Sequence, residues 1–174
     1  MSEALPETVV ATAREMLRLG LVSGTQGNVS ARDGEVVLIT PAGMPYEDMS
    51  ADDVVAIDSS GEPLDGRGVP SSEWRVHLAI YAARPDVGAI VHTHSERATA
   101  WSHLDEPLGT VLTARVAPTG TDEIAAAAVE ALGDLGAVLL GRHGVLAVAA
   151  TPEEALTRCV AVEREAVAAW RTRG

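Results

Sequence analysis

The sequence predicts a mixed α/β fold in one domain. Three observations carry that expectation. Apolar residues recur at helical spacing in four stretches, near residues 6–19, 71–83, 121–132 and 151–171. Short apolar runs of strand length lie between them, at 36–40, 54–58, 87–91, 137–140 and 145–148. The chain has 174 residues, which suits one domain over 1–174 with a buried core.

The first helix is expected over 6–19, where Val9, Val10, Ala13, Met16 and Leu17 share a face and Gly20 is the stop. The segment Ser23-Gly24-Thr25-Gln26-Gly27-Asn28-Val29-Ser30 then reads as a tight loop. Its backbone amides could face an anion, or it could be a plain turn. A strand is expected at 36–40, broken by Pro41-Ala42-Gly43-Met44-Pro45, with another at 54–58 and a turn at 59–63. A loop over 66–70 leads to a helix beginning near Ser71. Ser71 or Ser72 is its expected N-cap, with Glu73 in the first turn. Trp74, His77, Leu78 and Tyr81 continue at i, i+3, i+4 and i+7, so His77 reads as a packed helix residue rather than a ligand.

Arg84-Pro85-Asp86 ends that helix, and an apolar strand leads into Val91-His92-Thr93-His94-Ser95. A short helix is expected over 95–101, with His103 on the surface after it. The apolar pieces of 108–119 take no assignment. Thr121 opens an alanine-rich helix that Gly133 stops. Strands at 137–140 and 145–148 are joined by Gly141-Arg142-His143-Gly144. Thr151-Pro152-Glu153-Glu154 is a helix start, with Thr as cap, Pro first and Glu three residues on. Cys159 reads as a small apolar residue of that helix.

The formal net charge of −12 argues against a duplex nucleic-acid surface. With 3% aromatic residues and no Phe, recognition of single strands by stacking is not expected either. No apolar run has the length of a membrane span, and the acidic N-terminus (Glu3, Glu7) does not read as a secretory signal. A single cysteine, Cys159, allows no intrachain disulfide, which fits a reducing cytoplasm.

On a strand, residues i and i+2 face the same way, so His92 and His94 would present their rings together. Such a pair is either half of a divalent-metal site or a polar strand end. His143, between two glycine-flanked strands, is either a turn residue or a third ligand. Three histidines at strand ends match a His₃ set with an open coordination position, the catalytic pattern. Glu73 adds a carboxylate that could be a fourth ligand or a base.

Five ordered motifs now stand together: Gly24-Thr25-Gln26-Gly27-Asn28-Val29-Ser30, Ile39 through Tyr46, Pro70 through His77, Arg84-Pro85-Asp86 through His94, and His143-Gly144-Val145-Leu146-Ala147. With them, the chain resembles the class II aldolase/adducin family, over about residues 5–168. The resemblance implies an α+β fold with a central, mostly antiparallel sheet flanked by helices on both faces. It implies that His92, His94 and His143 bind Zn²⁺, or another divalent ion such as Mn²⁺ or Co²⁺, and that Glu73 is the catalytic acid/base. It implies a phosphate pocket built from Thr25, Gly27, Asn28, Ala42, Gly43, Ser71 and Ser72. The implied reaction is retro-aldol cleavage of a phosphorylated ketose, a ketose 1-phosphate, to dihydroxyacetone phosphate and an aldehyde. A cytoplasmic homotetramer is implied as well.

The family also contains pentulose-phosphate epimerases, methylthioribulose-phosphate dehydratases, decarboxylases and non-enzymatic adducin-like modules. Such a module is expected to lose the ligands, and all of them are present here. Two departures from the family pattern bear on the substrate. Ala42 stands where a hydroxyl or small residue is usual, and the stretch over 108–121 is short and has no tyrosine. The tyrosines present, Tyr46 and Tyr81, belong to other motifs, so the aldehyde half of the site is expected to differ.

Overall fold

A computed structural model describes residues 4–66 and 68–173. The loop expected over 66–70 therefore includes one position, Arg67, outside the described residues. Helix α1 (Leu5–Arg18) buries Val9, Val10, Ala13 and Met16, the face its periodicity picks out. Strands β1 (Asn28–Asp33), β2 (Val36–Ile39) and β3 (Val55–Ile57) follow, then α2 (Trp74–Ala83), β4 (Ala89–Thr93) and α3 (Glu96–Trp101). The chain continues through β5 (Thr113–Ala114), α4 (Asp122–Leu132), the hairpin β6 (Ala137–Leu140) and β7 (Gly144–Ala149), and α5 (Pro152–Arg173).

The strands form one seven-stranded sheet in the order β3-β2-β1-β4-β7-β6-β5. Every pairing is antiparallel except β5 with β6. Strand β4 is central and buried along its whole length, which requires cover on both faces. The period of two sorts its side chains. Ala89 and Val91 join Val145, Ala147 and Cys159 in one apolar cluster, with residues of α1, α3 and α5. Ile90 joins Leu146, Val148 and residues of α2 and α4 in the other. The expected layered sheet with helices on both faces is what forms.

Three local expectations change. Asn28, Val29 and Ser30 are not loop but the start of β1, because the strand pairs on both sides, with β2 and with β4. Neither Ser71 nor Ser72 caps α2. Its N-cap is Glu73, because Ser71 is held back at the end of β2, its N–H donating to the Thr40 carbonyl at 3.0 Å. The segment over 108–119 supplies β5, which adds to the sheet edge by parallel pairing with β6.

Candidate metal centre

The register of β1 and β4 places Asn28 opposite His92 and Ser30 opposite Ile90. Directly opposed residues project to the same face. Asn28, Ser30 and His92 therefore all point toward α2. The β6–β7 hairpin brings Gly144 alongside the end of β4, where its Cα could not carry a side chain. A Cβ there would collide with the Thr93 carbonyl and press on the His94 and His92 rings. His143, one residue earlier, is thereby set against both rings. Glu73 arrives from the start of α2.

Among the described residues, Glu73, His92, His94 and His143 form a group able to hold a metal ion, with their ligand atoms all within 4.8 Å of one another. The Nε2 atom of His92 lies 2.9 Å from that of His94 and 3.1 Å from that of His143. Glu73 reaches His143 Nε2 with Oε1 at 2.8 Å and His92 Nε2 with Oε2 at 3.2 Å. Tetrahedral ligands at metal–nitrogen bonds of about 2.0–2.1 Å sit about 3.3–3.4 Å apart, so the spacing fits a small divalent ion. His92 Nδ1 donates to the Val145 carbonyl at 2.8 Å, which leaves its Nε2 lone pair for a ligand.

Burial pushes the His92 and His94 pKa values down, His94 to about 3, so both rings are neutral donors near pH 7. Burial alone would raise the Glu73 pKa. The adjacent His92 and His143, with hydrogen bonds from His143 and Asn28, more than reverse this and hold the carboxyl below the usual range. The arrangement thus sets two neutral imidazoles and one carboxylate beside the His143 ring.

The centre opens into a cavity of about 280 Å³. Thr25, Gly27, Asn28, Ala42, Gly43, Ser71 and Ser72 line it together with Glu73, His94 and His143. Every residue expected in the phosphate pocket therefore borders the metal-ligating group. Their donors are not equally available. The Ala42 N–H is committed to the Val69 carbonyl at 2.8 Å, and the Ser71 N–H to Thr40. Asn28 gives one N–H to Glu73 Oε2 at 2.8 Å. The Gly43 amide and the hydroxyls of Thr25, Ser71 and Ser72 remain as donor groups.

Two structural contributors were not expected at the site from sequence. Tyr46 donates its hydroxyl to the Gly27 carbonyl at 2.6 Å and pins the loop. His77 meets Asn28 Oδ1 at 2.6 Å. The i, i+4 spacing of Glu73 and His77 is the signal that could have linked them. Reading His77 as a packed helix residue agrees with its full burial.

The Class II Aldolase and Adducin N-terminal domain family matches residues 7–170. The chain belongs to that family. It is 40% identical over 164 residues to an L-fuculose phosphate aldolase of Escherichia coli O6:H1, covering 87% of this chain and 76% of the relative. It is 39% identical over 180 residues to a 5-methylthioribulose-1-phosphate/5-deoxyribulose-1-phosphate aldolase of Rhodospirillum rubrum, covering 97% and 81%. A solved L-fuculose 1-phosphate aldolase superposes with a TM-score of 0.94 at 31% identity, covering 99% of this chain and 88% of that one.

Proposed function

We propose that this enzyme is a zinc-dependent class II aldolase that cleaves a ketose 1-phosphate to dihydroxyacetone phosphate and an aldehyde. The observation that carries the reading is one cavity in which the His₃–carboxylate group adjoins the glycine and hydroxyl loops. Glu73 and the three histidines would hold the ion, which supplies Lewis acidity to a bound carbonyl. Thr25, Gly43, Ser71 and Ser72 hold the phosphate end of the substrate, with Gly27, Asn28 and Ala42 shaping the pocket. Anchoring that remote group orients the reacting carbons, so its binding energy goes into positioning. Glu73 moves the proton to or from the carbon beside the carbonyl. Named relatives acting on fuculose phosphate and on 5-deoxyribulose 1-phosphate support the substrate class. Mn²⁺ or Co²⁺ would serve the same donor set.

The test is dihydroxyacetone phosphate release from L-fuculose 1-phosphate and from 5-deoxyribulose 1-phosphate by zinc-loaded protein. Release should vanish with chelator and return with zinc. Glu73→Gln should lower kcat by about 10²–10⁴-fold. No release from either sugar by folded, zinc-loaded protein overturns the reading.

The same groups would also serve a second reaction, epimerisation of a pentulose phosphate, which likewise breaks and re-forms a C–C bond. Tyr46 and Tyr81 are both buried and bonded elsewhere, and neither lines the cavity. NMR of the products separates the two. Within the same reading the enzyme is a cytoplasmic homotetramer. No described helix is long and apolar enough to cross a membrane, and Leu112 and Val116 are exposed apolar surface for subunit contacts.

A further inference from the structure

We infer that His77 is a positioning residue, which acts through Asn28 to hold the Glu73 carboxylate against the three histidines. The inference follows from the direction of a buried hydrogen-bond chain. An ionised carboxylate only accepts hydrogen bonds, so the atom that Asn28 presents to Glu73 Oε2 at 2.8 Å must be its Nδ2–H. That orientation turns Asn28 Oδ1 toward His77 Nε2, 2.6 Å away. A carbonyl oxygen also only accepts, so Nε2 carries the ring proton. A neutral ring protonated there has a bare Nδ1, and Ser30 Oγ lies 2.6 Å from it. Ser30 must donate to that nitrogen. Its oxygen then accepts from the Tyr81 hydroxyl at 2.8 Å. The order is Tyr81 to Ser30 to His77 to Asn28 to Glu73, and every link points the same way.

Each link fixes the next because water cannot substitute. Asn28 is 2% exposed, Ser30 and His77 are 0%, and Tyr81 is 4%. Turning the Asn28 amide over would set its carbonyl against the carboxylate and its NH₂ against the His77 N–H. Both contacts would be repulsive, and each would leave buried polar groups without a partner. Burial keeps the ring neutral, as the chain requires, by lowering the His77 pKa to about 3. Asn28 and Ser30 share one face of β1, and α2 carries Glu73, His77 and Tyr81 at successive i, i+4 positions. The sheet supplies one wall of the chain and the helix the other.

The kinetic arm rests on Glu73 as the acid/base of the proposed aldolase; the hydrogen-bond order does not. ¹⁵N NMR of histidine-labelled, zinc-loaded protein at pH 7 should show His77 protonated at Nε2 and bare at Nδ1. A ring protonated at Nδ1, or at both nitrogens, overturns the proposal. His77→Leu should lower kcat on the cleaved ketose 1-phosphate by about 10–100-fold at saturating zinc, with KM for the sugar little changed. His77→Gln, which keeps a donor near the Nε2 position, should restore most of that loss. A role confined to packing would shift the unfolding midpoint and leave kcat alone. Wild-type kcat in folded, zinc-loaded His77→Leu therefore overturns the proposal too. Should that variant not fold, Ser30→Ala removes the donor to Nδ1. It should give mixed His77 tautomers and a lower kcat, and an unchanged tautomer with unchanged kcat counts against the chain. Absence of dihydroxyacetone phosphate release by the wild type would reject the aldolase reading and leave the tautomer result standing.

Discussion

Gly27 meets two demands at one residue. Its φ of +74° lies in the left-handed region, and a Cβ would come within 2.5 Å of the His92 carbonyl oxygen and 2.8 Å of Val22 Cγ1. Neither neighbour can yield easily, since one is backbone of the central strand and the other is core. Gly27→Ala should cost about 1–3 kcal/mol. Because the collision falls on a metal-ligating residue, zinc affinity should fall as well. Urea unfolding and zinc titration measure the two effects, and an unchanged midpoint would show that the loop does not press on β4. Residue by residue, the metal group was legible in part: strand spacing sets His92 and His94 on one face, while His143 and Glu73 were joined to them by the family resemblance. The Asn28–Glu73 contact was not legible. It joins residues 45 positions apart, and only strand register brings them together.

At the scale of elements, legibility followed the range of the forces involved. Helices α4 and α5 begin and end on local chemistry. Thr121 caps α4 by accepting the Ile124 N–H, Gly133 closes it, and Thr151 accepts the Glu154 N–H at 3.3 Å. Thr121→Ala should therefore destabilise the fold by about 1 kcal/mol. A denaturant midpoint reads this, and Thr121→Ser, which keeps the oxygen, should recover most of it. Since Thr121 does not line the cavity, kcat should change little. The elements misread from sequence are those set by distant partners. Strand β1 begins inside a glycine-rich stretch that looks like loop, and pairing with β4 decides otherwise. The start of α2 is moved by the Thr40 carbonyl, which captures the Ser71 N–H. Strand β5 is two residues long and exists only through β6.

Across the whole molecule, the buried imidazoles couple stability to pH. His77 has a folded pKa of about 3, below its ordinary value of 6.5, because burial disfavours the charged ring. Above pH 6.5 the ring is neutral in both states and contributes no pH dependence. Below it the unfolded chain binds the proton first, so stability falls as pH drops toward 3, by roughly 1.4 kcal/mol per pH unit for one such group. In metal-free protein His92 and His94 act in the same direction, from the same cause. Glu73, whose folded pKa is lowered, adds its own loss only as pH falls below its ordinary value of 4.5. Between 6.5 and 4.5 the histidines therefore set the slope. Chelated protein should have a distinctly lower denaturant midpoint at pH 5 than at pH 7. His77→Gln should remove one group's share of that difference. Bound zinc requires neutral rings, so zinc should raise the midpoint more at pH 7 than at pH 5. A midpoint for chelated protein that stays level from pH 7 to 5 would mean that these rings are hydrated in solution, and the buried polar wall between β1 and α2 would not stand as described.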